Sequence, residues 1–145
     1  MKEKSAGAVV YRKEGRETKY LVLLYGVGHW DFVKGHVEAD EEEEETVVRE
    51  AEEETRLIDL RILPGFKERI KYVYKKNSKT IAKEVAFVIA ETKTKDIKLS
   101  FEHKEYKWLE YKEALKRLTY DTAKQVLKKA DLYIRKHEQQ KTLTA

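Results

Sequence analysis

The sequence predicts an α/β or α+β domain in which helices pack on a mixed sheet. Three observations predict it. Apolar runs of strand length are interleaved with segments of helical spacing. At 145 residues and 41% hydrophobic content, the chain can bury one core, which excludes wholesale disorder. No repeat, linker or composition shift marks a second domain, so residues 1–145 are expected to form one unit.

The elements follow in order. Ala6 to Tyr11 is small and β-branched and reads as a strand, and Glu14-Gly15-Arg16 reads as a turn. Tyr20 to Tyr25 is a continuous apolar run, short enough for a strand buried on both faces, and Gly26-Val27-Gly28 breaks it. Trp30 to Val33 is a short extended piece. A helix is expected from Glu41 to about Thr55, with Asp40 as N-cap and Glu43 closing a capping box. After the Pro64-Gly65 turn, Phe66, Ile70, Tyr72 and Tyr74 alternate with Lys67, Arg69 and Lys71 at strand period. Lys75 to Lys79 reads as a basic loop, Glu84 to Glu91 as a central strand, and Tyr106 to Leu109 as another short strand. Tyr111 to Leu118 is a short helix. Asp121 caps a last helix carrying Ala123, Val126, Leu127, Ala130 and Ile134 on one face. From His137 the chain is polar, and about 138–145 is expected to fray.

Composition excludes several functions. With no cysteine there is no disulfide framework, thiolate zinc site or cysteine nucleophile. No apolar run is long enough for a transmembrane helix, and Met1 to Ser5 lacks a secretory apolar region. A cytoplasmic protein without a membrane association is expected. The net charge of +4 conceals an asymmetry: Glu38 to Glu54 holds 11 acids and one base, and the other 128 residues hold 30 bases and 16 acids. A net −10 segment in a +14 body fits either a nucleic-acid binder with an acidic arm or carboxylate-held metal ions facing a bound polyanion.

Spacing distinguishes the acids. On a helix turning about 100° per residue, Glu53 and Glu54 lie at about −60° and +40° from Glu50. These carboxylates share one face, where divalent cations relieve their repulsion, and oxygen-only ligands suit Mg²⁺ or Mn²⁺. Read alone, the same face could equally be a solvated acidic surface. Glu41 to Glu45 point all around the helix and read as solvated. Arg49 can pair with Glu53 at i+4 or with acids outside the helix.

From Gly35 to Leu57 the chain carries Gly35, Glu41, Arg49-Glu50-Ala51, Glu53-Glu54 and Arg56-Leu57. This resembles the Nudix box, G-x5-E-x7-R-E-U-x-E-E-x-G-U with U apolar, at every fixed position except the last glycine, which is Arg56. The resemblance implies an α/β/α sandwich, the Nudix fold, with a mixed β-sheet and a catalytic loop-helix-loop. It implies hydrolysis of a nucleoside diphosphate linked to another moiety, with Mg²⁺ or Mn²⁺. By position, Glu50, Glu53 and Glu54 would be metal-binding and catalytic carboxylates, joined by the Gly35 carbonyl, and Glu41 and Arg49 would brace the motif. In-line attack of a metal-activated water fits that chemistry.

Further segments, among them Gly28-His29-Trp30, Lys34-Gly35-His36-Val37-Glu38, Gly65-Phe66-Lys67, Lys79-Thr80 and Leu99 to Leu109, are similar in order to the asymmetric diadenosine tetraphosphate hydrolases of the animal and archaeal type. That family splits its substrate into ATP and AMP. Glu102 matches its distal glutamate, a metal ligand or catalytic base. Lys79 and Tyr72 match positions that touch phosphate and adenine, although Tyr72 reads equally as core; His36, beside the metal loop, reads as a phosphate contact or a loop cap, and Lys34 as a phosphate contact or a solvated side chain. Histidine is usual where Phe101 stands, and prolines are common at Phe32 and Val33. Trp30 reads as packed, His29 as loop structure and His103 as support for Glu102.

Other readings keep the chemistry and change the substrate: RNA 5′ triphosphate ends, modified nucleoside triphosphates, ADP-ribose or diphosphoinositol polyphosphates. A non-catalytic nucleotide sensor would be expected to lack box glutamates, and all are present. A plain nucleic-acid binder would make the Arg49 to Glu54 spacing coincidence. The expected partner is a small nucleotide, and no protein partner is legible.

Overall fold

The computed structural model describes residues 2–144, with side chains through residue 141. The strands are β1 (Lys2–Glu14), β2 (Glu17–Tyr25), β3 (Trp30–Asp31), β4 (Val33–His36), β5 (Arg61–Ile62), β6 (Glu68–Lys76), β7 (Lys79–Glu91) and β8 (His103–Leu109). The helices are α1 (Glu43–Thr55), α2 (Tyr111–Arg117) and α3 (Asp121–Thr144). The sheet is mixed. β1 runs parallel to β7 and antiparallel to both β2 and β4, while β6 and β5 pair with β7, and β8 with β2.

Apolar residues on both faces of β1 and β7 make this a layered structure. Val9, Tyr11, Val85, Phe87 and Ile89 face α3, where Ala123, Val126, Leu127, Ala130 and Ile134 close the core. Ala6, Ala8, Val10, Val88 and Ala90 face α1, through Val47 and Ala51. The buried Tyr20 hydroxyl donates to Asp131 at 2.6 Å, so the α3 core contains a satisfied polar link. Gly7 sits where β4 crosses β1; a Cβ there would strike the Val33 carbonyl oxygen.

Several expectations need correction. The N-cap of α1 is Glu42, and the Glu42 N–H donates to Glu45 at 2.8 Å. Asp40 instead takes a positive φ of 68° inside a turn, because the Glu41 carboxylate is drawn to the Glu38 N–H. The basic loop shrinks to Asn77-Ser78, as β6 and β7 pair down to Lys76–Lys79. Helix α3 continues to Thr144 through the polar segment that follows His137, and His137 stacks on Tyr133 with ring centroids 6.3 Å apart. The β5 strand was not legible, being only Arg61–Ile62. The alternation of Ile70, Tyr72 and Tyr74 on β6 is present as read.

Arg56 ends α1 in the left-handed conformation, φ 65°, and its N–H donates to the Glu52 carbonyl at 2.9 Å. The backbone geometry a glycine would serve is therefore kept, at a cost of about 1 kcal/mol for an L-residue. Arg56→Gly should raise unfolding stability by about 0.5–1 kcal/mol without changing turnover. Urea midpoints of the two proteins check this; a lower midpoint for the glycine variant refutes it.

Candidate active site

Strand β4 and helix α1 build the acidic centre. Gly35 pairs with Ala6 and so shares its α1-facing side of the sheet, while Lys34 pairs with Gly7 and faces α3. The Glu50 carboxylate lies in the space a Cβ at Gly35 would take, so only glycine fits beneath it.

Arg49 organises the acids around this point. Its Nε and Nη2 donate to the two Glu41 oxygens at 2.8 and 3.0 Å. Its Nη1 donates to Glu50 at 2.8 Å and to Glu53 at 3.4 Å, and Nη2 also reaches the His36 carbonyl at 3.0 Å. One fork thereby ties the loop before α1 to three carboxylates. Glu41 additionally accepts from the Thr46 hydroxyl at 2.6 Å. The Arg49 guanidinium and these donors hold the Glu41 carboxyl down at about 2. Both of the partners foreseen for Arg49, inside and outside the helix, are engaged.

Of Glu41 to Glu45, read as solvated, Glu42 and Glu45 are exposed, whereas Glu41, Glu43 and Glu44 are ion-paired. Glu43 accepts from Lys67 at 3.0 Å and Arg69 at 2.7 Å, and Glu44 pairs with Lys67 at 2.7 Å. The bases of β6 and its approach pair with Glu43 and Glu44, which local periodicity cannot show.

Glu54 is the buried acid, 4% exposed, whereas the Glu53 side chain is 59% exposed. Burial, a proton shared with Glu50, and the charge of Glu50 push the Glu54 carboxyl up to about 9, against a donated Lys34 N–H that lowers it. Its Oε1 has no hydrogen-bond partner. His103 Nε2, also unpartnered, stands 3.7 Å away, and its Nδ1 contacts the Ser100 hydroxyl at 3.1 Å. Burial lowers the His103 pKa, so the pair is not an ion pair at neutral pH. His103 thus faces Glu54 and also feels the charge of its neighbour Glu102. Glu102 is exposed at a turn, and its charge is felt by Glu54. Two backbone bonds fix this approach: Ser100 N–H to the Glu54 carbonyl at 3.1 Å, and Gly26 N–H to the Glu102 carbonyl at 2.9 Å.

A cleft of about 630 Å³ opens beside the acids on the α3 side, lined among others by Tyr25, His29, Asp31, Lys34, Tyr72, Lys83 and Tyr120. Lys34 pairs with the buried Asp31 at 2.9 Å. Burial pulls the Lys34 pKa down, and Asp31 more than offsets it, so Lys34 stays cationic. Burial and the neighbouring Lys34 charge lower Lys83. His29 stacks on Tyr25, centroids 4.8 Å apart, and lies 5.5 Å from Tyr120. Lys34 and Tyr72 both line this cleft. His36 is exposed outside the lining, and Lys79 stands at the exposed β6–β7 tip. Trp30 packs against the α3-side core with Arg117 over its ring, as a packed residue should.

Asp31, Lys83, Tyr25, His29 and Tyr120 were missed as cleft residues. Two carried a signal: Asp31 interrupts the apolar Trp30–Val33 piece, and Lys83 lies between Ile81 and Val85. A charge inside an apolar strand asks for a partner or a ligand.

A Nudix domain family model matches residues 1–130. The chain belongs to the Nudix family. The asymmetrical bis(5′-nucleosyl)-tetraphosphatase of Rattus norvegicus is 32% identical over 143 residues, covering 90% of this chain and 95% of that protein. The Caenorhabditis elegans enzyme of the same name is 31% identical over 135 residues, covering 90% and 96%. The crystal structure of a C. elegans Ap4A hydrolase binary complex superposes with a TM-score of 0.77 at 28% identity, covering 92% of this chain and 98% of that one.

Nudix hydrolases generally use divalent metal ions, and the donors here fit one. Among the described residues no three acidic or histidine side chains form a finished ligand set. Yet the unpartnered Glu54 oxygen, the proton forced between Glu50 and Glu54, and the cradle over Gly35 are what a cation would relieve. Among the described residues no helix is long and apolar enough to cross a membrane.

The raised Glu54 pKa has a testable sign. Above about 4.5 the unfolded chain loses this proton while the folded chain keeps it until about 9. With metal chelated, stability attributable to Glu54 should fall as pH rises through that window, by at most about 1.4 kcal/mol per pH unit. Denaturation at pH 5 and pH 8, compared with Glu54→Gln, measures it; identical pH slopes in the two proteins refute the assignment.

Proposed function

We propose that this Nudix hydrolase cleaves the phosphoanhydride chain of dinucleoside polyphosphates, with diadenosine tetraphosphate giving ATP and AMP. The observation that carries the reading is the junction of a tyrosine- and lysine-lined cleft with the Glu50–Glu54 pair at adjacent positions of β4. A polyanion with flat ends meets aromatic faces and ammonium groups there. The names of the relatives, which align over about nine-tenths of this chain, support the same substrate class.

In this reading Glu50, Glu53, Glu54, Glu102 and the Gly35 carbonyl hold Mg²⁺ or Mn²⁺. The ion, when bound, neutralises phosphate charge and lowers the pKa of a coordinated water. The remaining work belongs to the chain. Arg49 orients Glu50 and Glu53. Lys34, kept charged by Asp31, binds phosphate oxygens. Tyr72 offers a face to a base. Burial, with His103 and Tyr25 around it, keeps Glu54 from bulk water. His36 sits at the edge of this path, and Lys79 contributes by long-range attraction.

The deciding reaction is purified protein with diadenosine tetraphosphate and Mg²⁺ in ¹⁸O-labelled water. ATP and AMP are expected, with label in one of them. No cleavage by metal-loaded protein overturns the substrate. Glu54→Gln should reduce turnover at least a hundredfold while the fold persists. Glu44→Gln, which loses only a partly exposed pair with Lys67, should stay within twofold of wild type. Turnover near wild type in Glu54→Gln, or a large loss in Glu44→Gln at unchanged melting temperature, contradicts this assignment of the acids.

A further inference from the structure

We infer that Phe101, with Val27 beside it across two joined loops, forms a stacking platform for the second base of the substrate, the one outside the cleft. This inference rests on the dinucleotide reading above and adds a specificity-determining residue to it.

Phe101 is 97% exposed and Val27 is 87% exposed. Single exposed apolar residues are ordinary on protein surfaces. These two differ in placement. Val27 follows Gly26, Phe101 precedes Glu102, and the Gly26 N–H donates to the Glu102 carbonyl at 2.9 Å. The two apolar side chains thus crown loops that are bonded to each other. Both loops are held from behind. Gly28 N–H donates to the Tyr25 carbonyl at 2.8 Å, Tyr25 N–H to the His29 carbonyl at 2.9 Å, and His103 N–H to the Ser100 carbonyl at 3.2 Å. Tyr25 packs edge-on against His103 at 4.4 Å, which locks the two turns together. The phenyl ring therefore stands on a braced support.

The order of groups gives the platform its occupant. A cleft of about 630 Å³ takes one nucleoside and the adjoining phosphates. Tyr25 lines that cleft with its ring 4.4 Å from that of His103, whose Nε2 stands 3.7 Å from Glu54. The Glu54 carbonyl accepts from the Ser100 N–H at 3.1 Å, and Phe101 is the next residue. A chain running from the cleft past the carboxylates leaves the acidic centre at Phe101. At its far end a dinucleotide carries a flat apolar ring and a mononucleotide carries none. Stacking a base on an aromatic side chain is worth about five- to 150-fold in affinity.

The experiment compares two substrates bearing the same number of phosphates, diadenosine tetraphosphate and adenosine 5′-tetraphosphate. In Phe101→Ala the KM for the dinucleotide should rise at least fivefold. The inhibition constant for adenosine 5′-tetraphosphate, measured in competition, should stay within twofold, and kcat should be kept. Phe101→Trp should restore the wild-type KM, and Val27→Ser should raise it less than Phe101→Ala does. An unchanged dinucleotide KM, or equal weakening of both ligands, overturns the platform while leaving the hydrolase reading intact. A fall in kcat with unchanged KM shows a displaced Glu102 loop, and also overturns it. If wild-type protein turns over no dinucleotide, the substrate reading fails and this inference with it.

Discussion

A single guanidinium organises the acidic end of the molecule. Arg49 spreads its donors over Glu41, Glu50, Glu53 and the His36 carbonyl. Each contact alone is a modest, partly exposed interaction. Together they fix the loop after β4 against the first turns of α1, so Glu50 is held over Gly35 rather than swinging into solvent. Lysine could not replace this fork, since it presents a point charge where a planar set of donors is used. The α1 N-terminus has a second tie, through Glu43 and Glu44 to Lys67 and Arg69, so the helix is anchored to β4 at one end of its face and to β6 at another.

The same centre is poor for stability and good for binding a cation. Two carboxyls close enough to share a proton, one of them buried, raise the free energy of the folded state whenever both ionise. The fold tolerates them because Arg49 compensates Glu50 and because the cores on both sides of the sheet are well filled. A cation held there would couple its binding to folding through Glu54.

Helical features were legible because they are local. The spacing of Glu50, Glu53 and Glu54 puts them on one face whatever surrounds them, and the box around them extends over consecutive residues. The apolar stripe of α3 was legible for the same reason. Asp40 was misread as the cap because the preference of an aspartate for that position is real, yet Glu42 and Glu45 close the capping box instead, two residues further on. The cleft was only half legible. It draws on the β2–β3 turn, β4, β6, β7 and the start of α3, and nothing in Asp31 or Tyr120 announces that they share a wall. The role of Lys67 and Arg69 as counterions to the acidic run is likewise a matter of sheet placement, not of spacing.

The alternation of β4 has a consequence for how the chain tolerates change. Lys34 faces the cleft and Gly35 supports the acids because successive residues of a strand point to opposite sides. The two halves of the site are thus about 3.3 Å apart along one backbone yet on opposite faces of the sheet. Their relation has a parity. Gain or loss of one residue ahead of Lys34 would aim a lysine at Glu50 and a glycine at the cleft, exchanging both chemistries at once. A change of two residues would preserve the sides. Length variation between Asp31 and Lys34 is therefore confined to even steps unless a bulge absorbs the odd residue, whereas the turn between β2 and β3 takes up changes further upstream.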